Sequence, residues 1–241
     1  MKPVGLSPEA LADLAYQYVV GGLDFIKDDQ GLVDQDFCPF DERVARCAAA
    51  VAKGNEETGR KCLYFPNVTG SGKGIDKRAS VAKEAGAGGV LLCPGLTGFE
   101  AIRILAEDRQ LNMPVMSHPT FLDSFIVNAE SGIAPSVLFG QLPRLAGADI
   151  SIYPTYGGDF PVTQEDCRQI ASETAVPWGD LKPIFPTAAG RMDLARLQEL
   201  IEIYQAEMVI VVGGALLQPD KDVVTACREF MQEAEHCNAK E

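Results

Sequence analysis

The sequence predicts an α/β protein, specifically a (β/α)8 TIM barrel whose first strand is truncated. Three observations lead there. Apolar runs of four to seven residues alternate with amphipathic stretches of ten to twenty, and the pattern repeats roughly every thirty residues from one end of the chain to the other. Glycine or proline punctuates nearly every junction. No Ser/Gly/Pro-rich linker or shift in composition divides the 241 residues, so residues 1–241 read as one domain. Strictly alternating βα units of this number close most naturally into a barrel; a doubly wound open sheet is the other topology the alternation allows.

Taken in order, Ser7-Pro8-Glu9 combines an N-cap with proline in the first turn and opens a helix. Strands follow at Leu23 to Lys27, Cys62 to Asn67, Gly89 to Cys93, Pro114 to Ser117, Asp149 to Tyr153, Pro183 to Thr187 and Met208 to Val212. The helices between and after them start near Phe40-Asp41-Glu42, Asp76, Phe99, Ala134, Thr163, Met192 and Asp220. That makes seven strands where a barrel has eight. The missing one would precede the first helix, where Met1 to Leu6 are too few for a strand and its turn. Flanking strands left with open backbone groups would invite self-association or a partner segment.

A net charge of −13 without any Lys/Arg block argues against nucleic-acid binding. No apolar run of eighteen residues and no apolar leader is present, so no membrane partner and a cytoplasmic location are expected. The seven cysteines are scattered without a close CxxC pair, which fits reduced, buried thiols. With His118 and His236 as the sole imidazoles, a Cys/His zinc site is rejected.

Barrel chemistry sits at the C-terminal ends of strands. The first strand ends Asp24-Phe25-Ile26-Lys27-Asp28-Asp29-Gln30, and alternation puts Phe25, Lys27 and Asp29 on one side, with Asp24, Ile26 and Asp28 on the other. A lysine beside carboxylates there can act as an amine base, as a Schiff-base nucleophile, or, once carbamylated by CO2, as an oxygen ligand for a hard cation. A solvated ion-pair cluster is the plain alternative. Lys61 and Lys182 precede their strands, which leaves Lys27 as the lysine clearly at a strand's C-terminal end. His118 ends the fourth strand and could polarise a substrate oxygen or simply be a satisfied strand-end histidine. Gly190, after the sixth strand, and Gly213-Gly214, after the seventh, stand where barrels often bind phosphate through backbone N–H groups, although glycine also ends strands for steric reasons. Gly70-Ser71-Gly72-Lys73-Gly74 lacks the spacing of a phosphate loop, and the sequon at Asn67 is not read as a glycosylation site.

The run Gly21-Gly22-Leu23-Asp24-Phe25-Ile26-Lys27-Asp28-Asp29 closely resembles the metal-site signature of the RuBisCO large chain and the RuBisCO-like proteins. Further matches follow in the right order: Lys2 to Pro8, Asn67-Val68-Thr69, Leu96-Thr97-Gly98, His118, Leu145 to Asp149 and Gly213-Gly214. The likeness covers nearly the whole chain but only the family's C-terminal barrel domain; the resemblance leads us to expect the family's N-terminal α/β domain and most of the first barrel strand to be absent. The resemblance implies a carbamylated Lys27 and Asp29 on Mg2+, with Gln30 at the third metal position. It also implies His118 near the substrate's oxygens, and Asn67, Gly190, Arg191, Gly213 and Gly214 at a phosphorylated substrate.

Departures from the family pattern are as informative. Gln30 replaces the acidic residue of the metal triad, which should weaken or abolish Mg2+ binding. The strand at Asp149 to Tyr153 has no histidine, the loop Pro154 to Asp166 has no lysine, Pro119 replaces a phosphate-binding arginine, and Arg191 occupies a glycine position. The resemblance therefore implies a non-carboxylating enzyme that enolises a phosphorylated keto-sugar or keto-acid, of isomerase, enolase or C–C lyase type, with Lys27 and His118 as catalytic groups. The alternative is a truncated, non-catalytic barrel that binds a ligand or a partner chain. A Schiff-base aldolase using Lys27 is a third reading. A homo-oligomer, or a companion chain supplying the missing N-terminal domain, is the expected partner.

Overall fold

The computed structural model describes every residue except 2–3, 129, 159, 191–193, 205–206, 219 and 239–241. The chain divides into two compact units, Met1–Leu91 with Gly213–Glu241, and Leu92–Val212.

In the first unit, helix α1 (Pro8–Val20) begins as expected, with the Ser7 side chain accepting from Ala10 N–H and Leu11, Leu14, Ala15, Tyr18 and Val19 buried on one stripe. Strand β1 (Phe25–Lys27) pairs in parallel with β2 (Leu63–Phe65), Lys27 opposite Phe65. β1 starts later than the apolar run because Leu23 N–H bonds back to the Tyr18 carbonyl and finishes α1 instead. Helix α2 (Phe40–Thr58) lies against α1, and the close approach falls at Gly54, where a Cβ would stand 2.8 Å from the Val19 Cβ. Helix α3 (Lys73–Glu84) starts three residues before Asp76, directly out of the Gly70-Ser71-Gly72 turn, with Gly72 at φ +38°. The chain then enters β3 (Val90–Leu92), whose Leu91 exchanges backbone bonds with Pro66 and Val68 on either side of Asn67. Helix α9 (Val223–Asn238) begins after Asp222, whose carboxylate accepts from Thr225 N–H, so the expected start at Asp220 is early.

The second unit carries β4 (Val115–Ser117), β5 (Ile150–Pro154), β6 (Phe185–Ala189) and β7 (Val209–Val211), paired in parallel in that order. All seven expected strands are present, and no strand precedes α1 among the described residues. β6 runs two residues later than the apolar pattern suggests. Pro183 has no N–H and Ile184 N–H goes to the Thr174 carbonyl, so pairing with β5 begins only where Phe185 N–H meets the Asp149 carbonyl. The core between sheet and helices is built on Phe139, Tyr153, Ile170, Ala188 and Leu200.

Around this sheet lie α5 (Phe99–Glu107), α7 (Gln164–Ala175) and α8 (Leu197–Tyr204), with a capping box between Thr163 and Asp166 at the start of α7. The helix expected from Ala134 is a π-helix over Ser136–Gln141 followed by short α6 (Leu142–Leu145), and one further turn, α4 (Pro94–Thr97), was not read from the pattern. The start expected at Met192 lies outside the described residues. Arg144, nearly fully buried, donates to the carbonyls of Glu173, Val176, Leu181 and Lys182, and so fastens the connection from α7 to β6. All seven cysteines are free and buried. No helix among the described residues is long and apolar enough to cross a membrane.

Candidate active site

Strand alternation separates the charges at the end of β1. Ile26 and Asp28 lie on one side and are buried, Asp28 against Arg43 of α2, while Phe25 and Lys27 on the opposite side remain half-buried. Asp28 is fully buried and its carboxylate is completely engaged: Oδ2 accepts from Arg43 Nε and from Asn67 N–H, each at 3.1 Å, and Oδ1 accepts from the Tyr64 hydroxyl at 2.8 Å. Arg43 is equally buried. Burial, the largest single effect, pulls its guanidinium down, but the charge of Asp28 together with the neighbouring Tyr64 and Cys38 outweighs this and holds it above its ordinary value. Burial first and the Asp28 charge second push the Tyr64 phenol well up, so it stays a donor.

The residues on either side of Asp28 are placed differently. Lys27 Nζ lies 3.3 Å from the Asp28 carbonyl, and the Met1 amino group donates to the Lys27 carbonyl. That amino group is buried and pulled down to about 5, by burial first and by the Lys27 ammonium second. Asp29 is buried, with Oδ1 accepting from Gly31 N–H at 2.8 Å. Gln30 is half-buried. Asn67 is fully buried and acts as a clamp: Nδ2 donates to the Asp29 and Gln30 carbonyls at 3.4 and 3.0 Å, and Oδ1 accepts from Thr69 N–H. In this arrangement the amide of Asn67 shapes the loop carrying Asp29 and Gln30.

As they stand, these residues do not fit a resident Mg2+. The ion takes oxygen ligands in near-octahedral order, usually anionic ones from the protein. Of the three positions, Asp29 alone brings a hard anionic oxygen; Lys27 is an amine unless carbamylated and Gln30 a neutral carbonyl. Among the described residues no group of three or more His, Cys, Asp or Glu side chains is placed to hold a metal ion. Asp28 cannot be recruited, since three donors already hold it.

Also in the first unit, Gly213 and Gly214 lead into a 3-10 turn over Gly214–Leu216, and no protein atom stands within 4 Å of where a Cβ would project from either. Packing therefore does not require glycine there, whereas close approach of a ligand to the backbone would.

In the second unit, His118 follows β4, its N–H bonded to the Leu92 carbonyl and its ring half-buried. Nδ1 lies 2.8 Å from the Thr120 hydroxyl and accepts from Thr120 N–H at 3.3 Å. A backbone N–H can only donate, so the neutral ring carries its proton on Nε2. After β5, Arg196 donates to the Tyr156 carbonyl at 2.7 Å and lies over the Tyr156 ring at 4.8 Å, fixing the start of the lysine-free loop. Gly190 is exposed at φ +99°, with open space around it, and Arg191 lies outside the described residues.

The family model described as "Ribulose bisphosphate carboxylase large chain, catalytic domain" matches residues 1–225. The chain belongs to the RuBisCO large-chain family. It is 36% identical over 97% of its length to ribulose bisphosphate carboxylase-like protein 1 of Rhodopseudomonas palustris, covering 61% of that protein. It is 37% identical over 90% of its length to 5-methylthioribulose-1-phosphate isomerase of Rhodospirillum rubrum, covering 56% of it. It is 30% identical over 85% of its length to 2,3-diketo-5-methylthiopentyl-1-phosphate enolase of Geobacillus thermodenitrificans, covering 51% of it. Among solved structures, octameric RuBisCO from Pyrococcus horikoshii matches with a TM-score of 0.92 and 26% identity, over 100% of this chain and 58% of that one. The α/β barrel read from the sequence is thus the fold of this RuBisCO domain, and the chain spans between half and two thirds of the length of the relatives it matches.

Two residues of this RuBisCO-like site were not read from the sequence, Arg43 and Tyr64. The signal for Arg43 is a charged residue inside an apolar stripe, between Phe40, Val44 and Cys47 on the buried face of α2. Tyr64 sits in a strand where an aromatic residue is ordinary, and nothing in the sequence marks it.

Proposed function

We propose that this chain is the barrel part of a non-carboxylating RuBisCO-like enzyme that enolises a phosphorylated keto-sugar or keto-acid. The observation that carries the proposal is the half-buried amine of Lys27 at the C-terminal end of β1, directly before a loop held by a fully satisfied buried carboxylate. In its neutral form the Lys27 amine removes the proton from the carbon next to the substrate carbonyl, and the C–H electron pair becomes the enolate double bond while the carbonyl electrons move to oxygen. Returning the proton to the neighbouring carbon or to oxygen completes an isomerisation or an enolisation. His118, with its proton on Nε2, is proposed as a donor to a substrate oxygen. Backbone N–H groups at Gly213, Gly214 and Gly190, with Arg191, are proposed to take the phosphate, and Asn67 to support binding through the loop it clamps.

Carbamylation of Lys27 by CO2 would add a second anionic oxygen beside Asp29, and Mg2+ held there would stabilise a developing oxyanion; the proton transfer above does not depend on it. CO2 fixation is not proposed, because the loop after β5 carries no lysine and Pro119 follows His118. The relatives named as an isomerase and an enolase of phosphorylated methylthio-sugars support this substrate class. A cytoplasmic oligomer, or an assembly with a chain carrying the family's N-terminal domain, is the proposed working form, supported by the octameric relative.

The second reading is an inert barrel that binds a phosphorylated ligand or a partner chain. Gln30 at the third metal position favours it. The deciding experiment follows solvent deuterium entering the carbon next to the carbonyl of a phosphorylated ketose, with and without Mg2+ and bicarbonate, beside a binding measurement on the same ligand. Deuterium entry supports enolisation; binding without entry establishes the inert barrel.

A further inference from the structure

We infer that Arg43, sixteen residues beyond Lys27, is the positioning residue of this strand end. Its guanidinium makes three directed bonds at once: Nε to Asp28 Oδ2 at 3.1 Å, Nη1 to the Cys38 carbonyl at 3.1 Å and Nη2 to the Val33 carbonyl at 2.8 Å. Its flat face lies 5.3 Å from the centre of the Phe40 ring. One side chain from the first turn of α2 therefore ties together the beginning, middle and end of the loop that leaves β1. Only a rigid planar fork with several N–H donors can span these points, and a lysine ammonium cannot.

The chemistry of the pair separates positioning from plain stability. A buried ion pair is often no better for stability than apolar residues of the same volume, but it is specific in direction. Here the direction is set on Asp28, the residue between Lys27 and Asp29, and the same carboxylate is fixed by the Tyr64 hydroxyl on β2 and by Asn67 N–H just beyond that strand. The orientation of Lys27 on one side and Asp29 on the other follows from how Asp28 is held. Asp28 is accordingly a buried anchor rather than a ligand or base.

The test compares Arg43→Lys and Tyr64→Phe with the unaltered chain in two arms. In the first, the rate at which an amine-directed acylating reagent modifies Lys27 is measured by mass spectrometry, with exposed Lys53 as internal reference. Loosening the loop should raise the Lys27 rate roughly tenfold in Arg43→Lys and leave Lys53 unchanged. In the second arm, which rests on the proposed enolisation, kcat for deuterium entry should fall about 100-fold with KM nearly unchanged, the mark of misplacement rather than lost binding. Tyr64→Phe removes one bond to Asp28 and should move both readouts the same way by less, so it carries the test if Arg43→Lys does not fold. A Lys27 acylation rate unchanged in folded variants overturns the inference. Absence of turnover in the unaltered chain overturns the proposed function alone, since the first arm still reads the positioning.

Discussion

Two adjacent charged residues should respond to mutation in opposite ways. Asp28→Ala removes the acceptor of three donors, Arg43 Nε and Asn67 N–H at 3.1 Å and the Tyr64 hydroxyl at 2.8 Å, and leaves a fully buried guanidinium without its counter-charge. Breaking a buried pair from one side costs about 3–5 kcal/mol, a large share of the 5–15 kcal/mol typical of a folded domain. Lys27→Met acts on a half-buried side chain and should change stability by no more than about 1 kcal/mol. Urea unfolding followed by circular dichroism measures both: the Asp28→Ala midpoint should fall by about 1–2 M with an unchanged slope, and the Lys27→Met midpoint should stay near that of the unaltered chain. A loss below about 1 kcal/mol for Asp28→Ala, or an equal loss for the two variants, would refute the division of labour between anchor and reactive amine.

Burial pushes the thiols of Cys47, Cys62 and Cys227 from 9.0 up to about 12, so the unfolded chain releases these protons first as pH rises. Their contribution is intact below pH 9 and is lost between pH 9 and 12; urea midpoints should decline through that window, and replacing the three with alanine should flatten the decline. Gly54→Ala places a methyl 2.8 Å from the branched Cβ of Val19, and overpacking of about 1–3 kcal/mol should exceed the helix-propensity gain of about 1 kcal/mol. A thermal midpoint equal to or above that of the unaltered chain would show that α1 and α2 can separate freely. Gln30→Glu supplies a second carboxylate beside Asp29 and should raise Mg2+ affinity in calorimetry; unchanged affinity would count against any cation site there.

The strands were legible because each is a short apolar run bounded by glycine or proline; alternation describes Phe25 to Asp28, half-buried and buried in turn, but not the flanks, where Asp24 is exposed and Asp29 is buried. What pattern alone missed depends on long-range pairing. Alternation sets Asp28 apart from Asp29 but does not name its partner: Asp28 is committed to Arg43, which lies in a helix whose periodicity reports only an amphipathic face. Asn67 reads as a substrate contact, but its amide spans to the Asp29 and Gln30 carbonyls, a bond set that appears only once β2 lies beside β1. The late start of β6 follows from where the Ile184 N–H finds its acceptor, and the π-helical turn at Ser136–Gln141 accompanies the close approach of Gly140 to Glu173 on α7.

The account turns on the amine of Lys27 as the proton acceptor. Proton NMR of a phosphorylated ketose in deuterium oxide, with the unaltered chain in one tube and Lys27→Met in another, tests it most directly. The signal of the hydrogen next to the carbonyl should decay with the unaltered chain and persist with Lys27→Met while ligand binding is retained. Equal decay in both tubes would contradict the account.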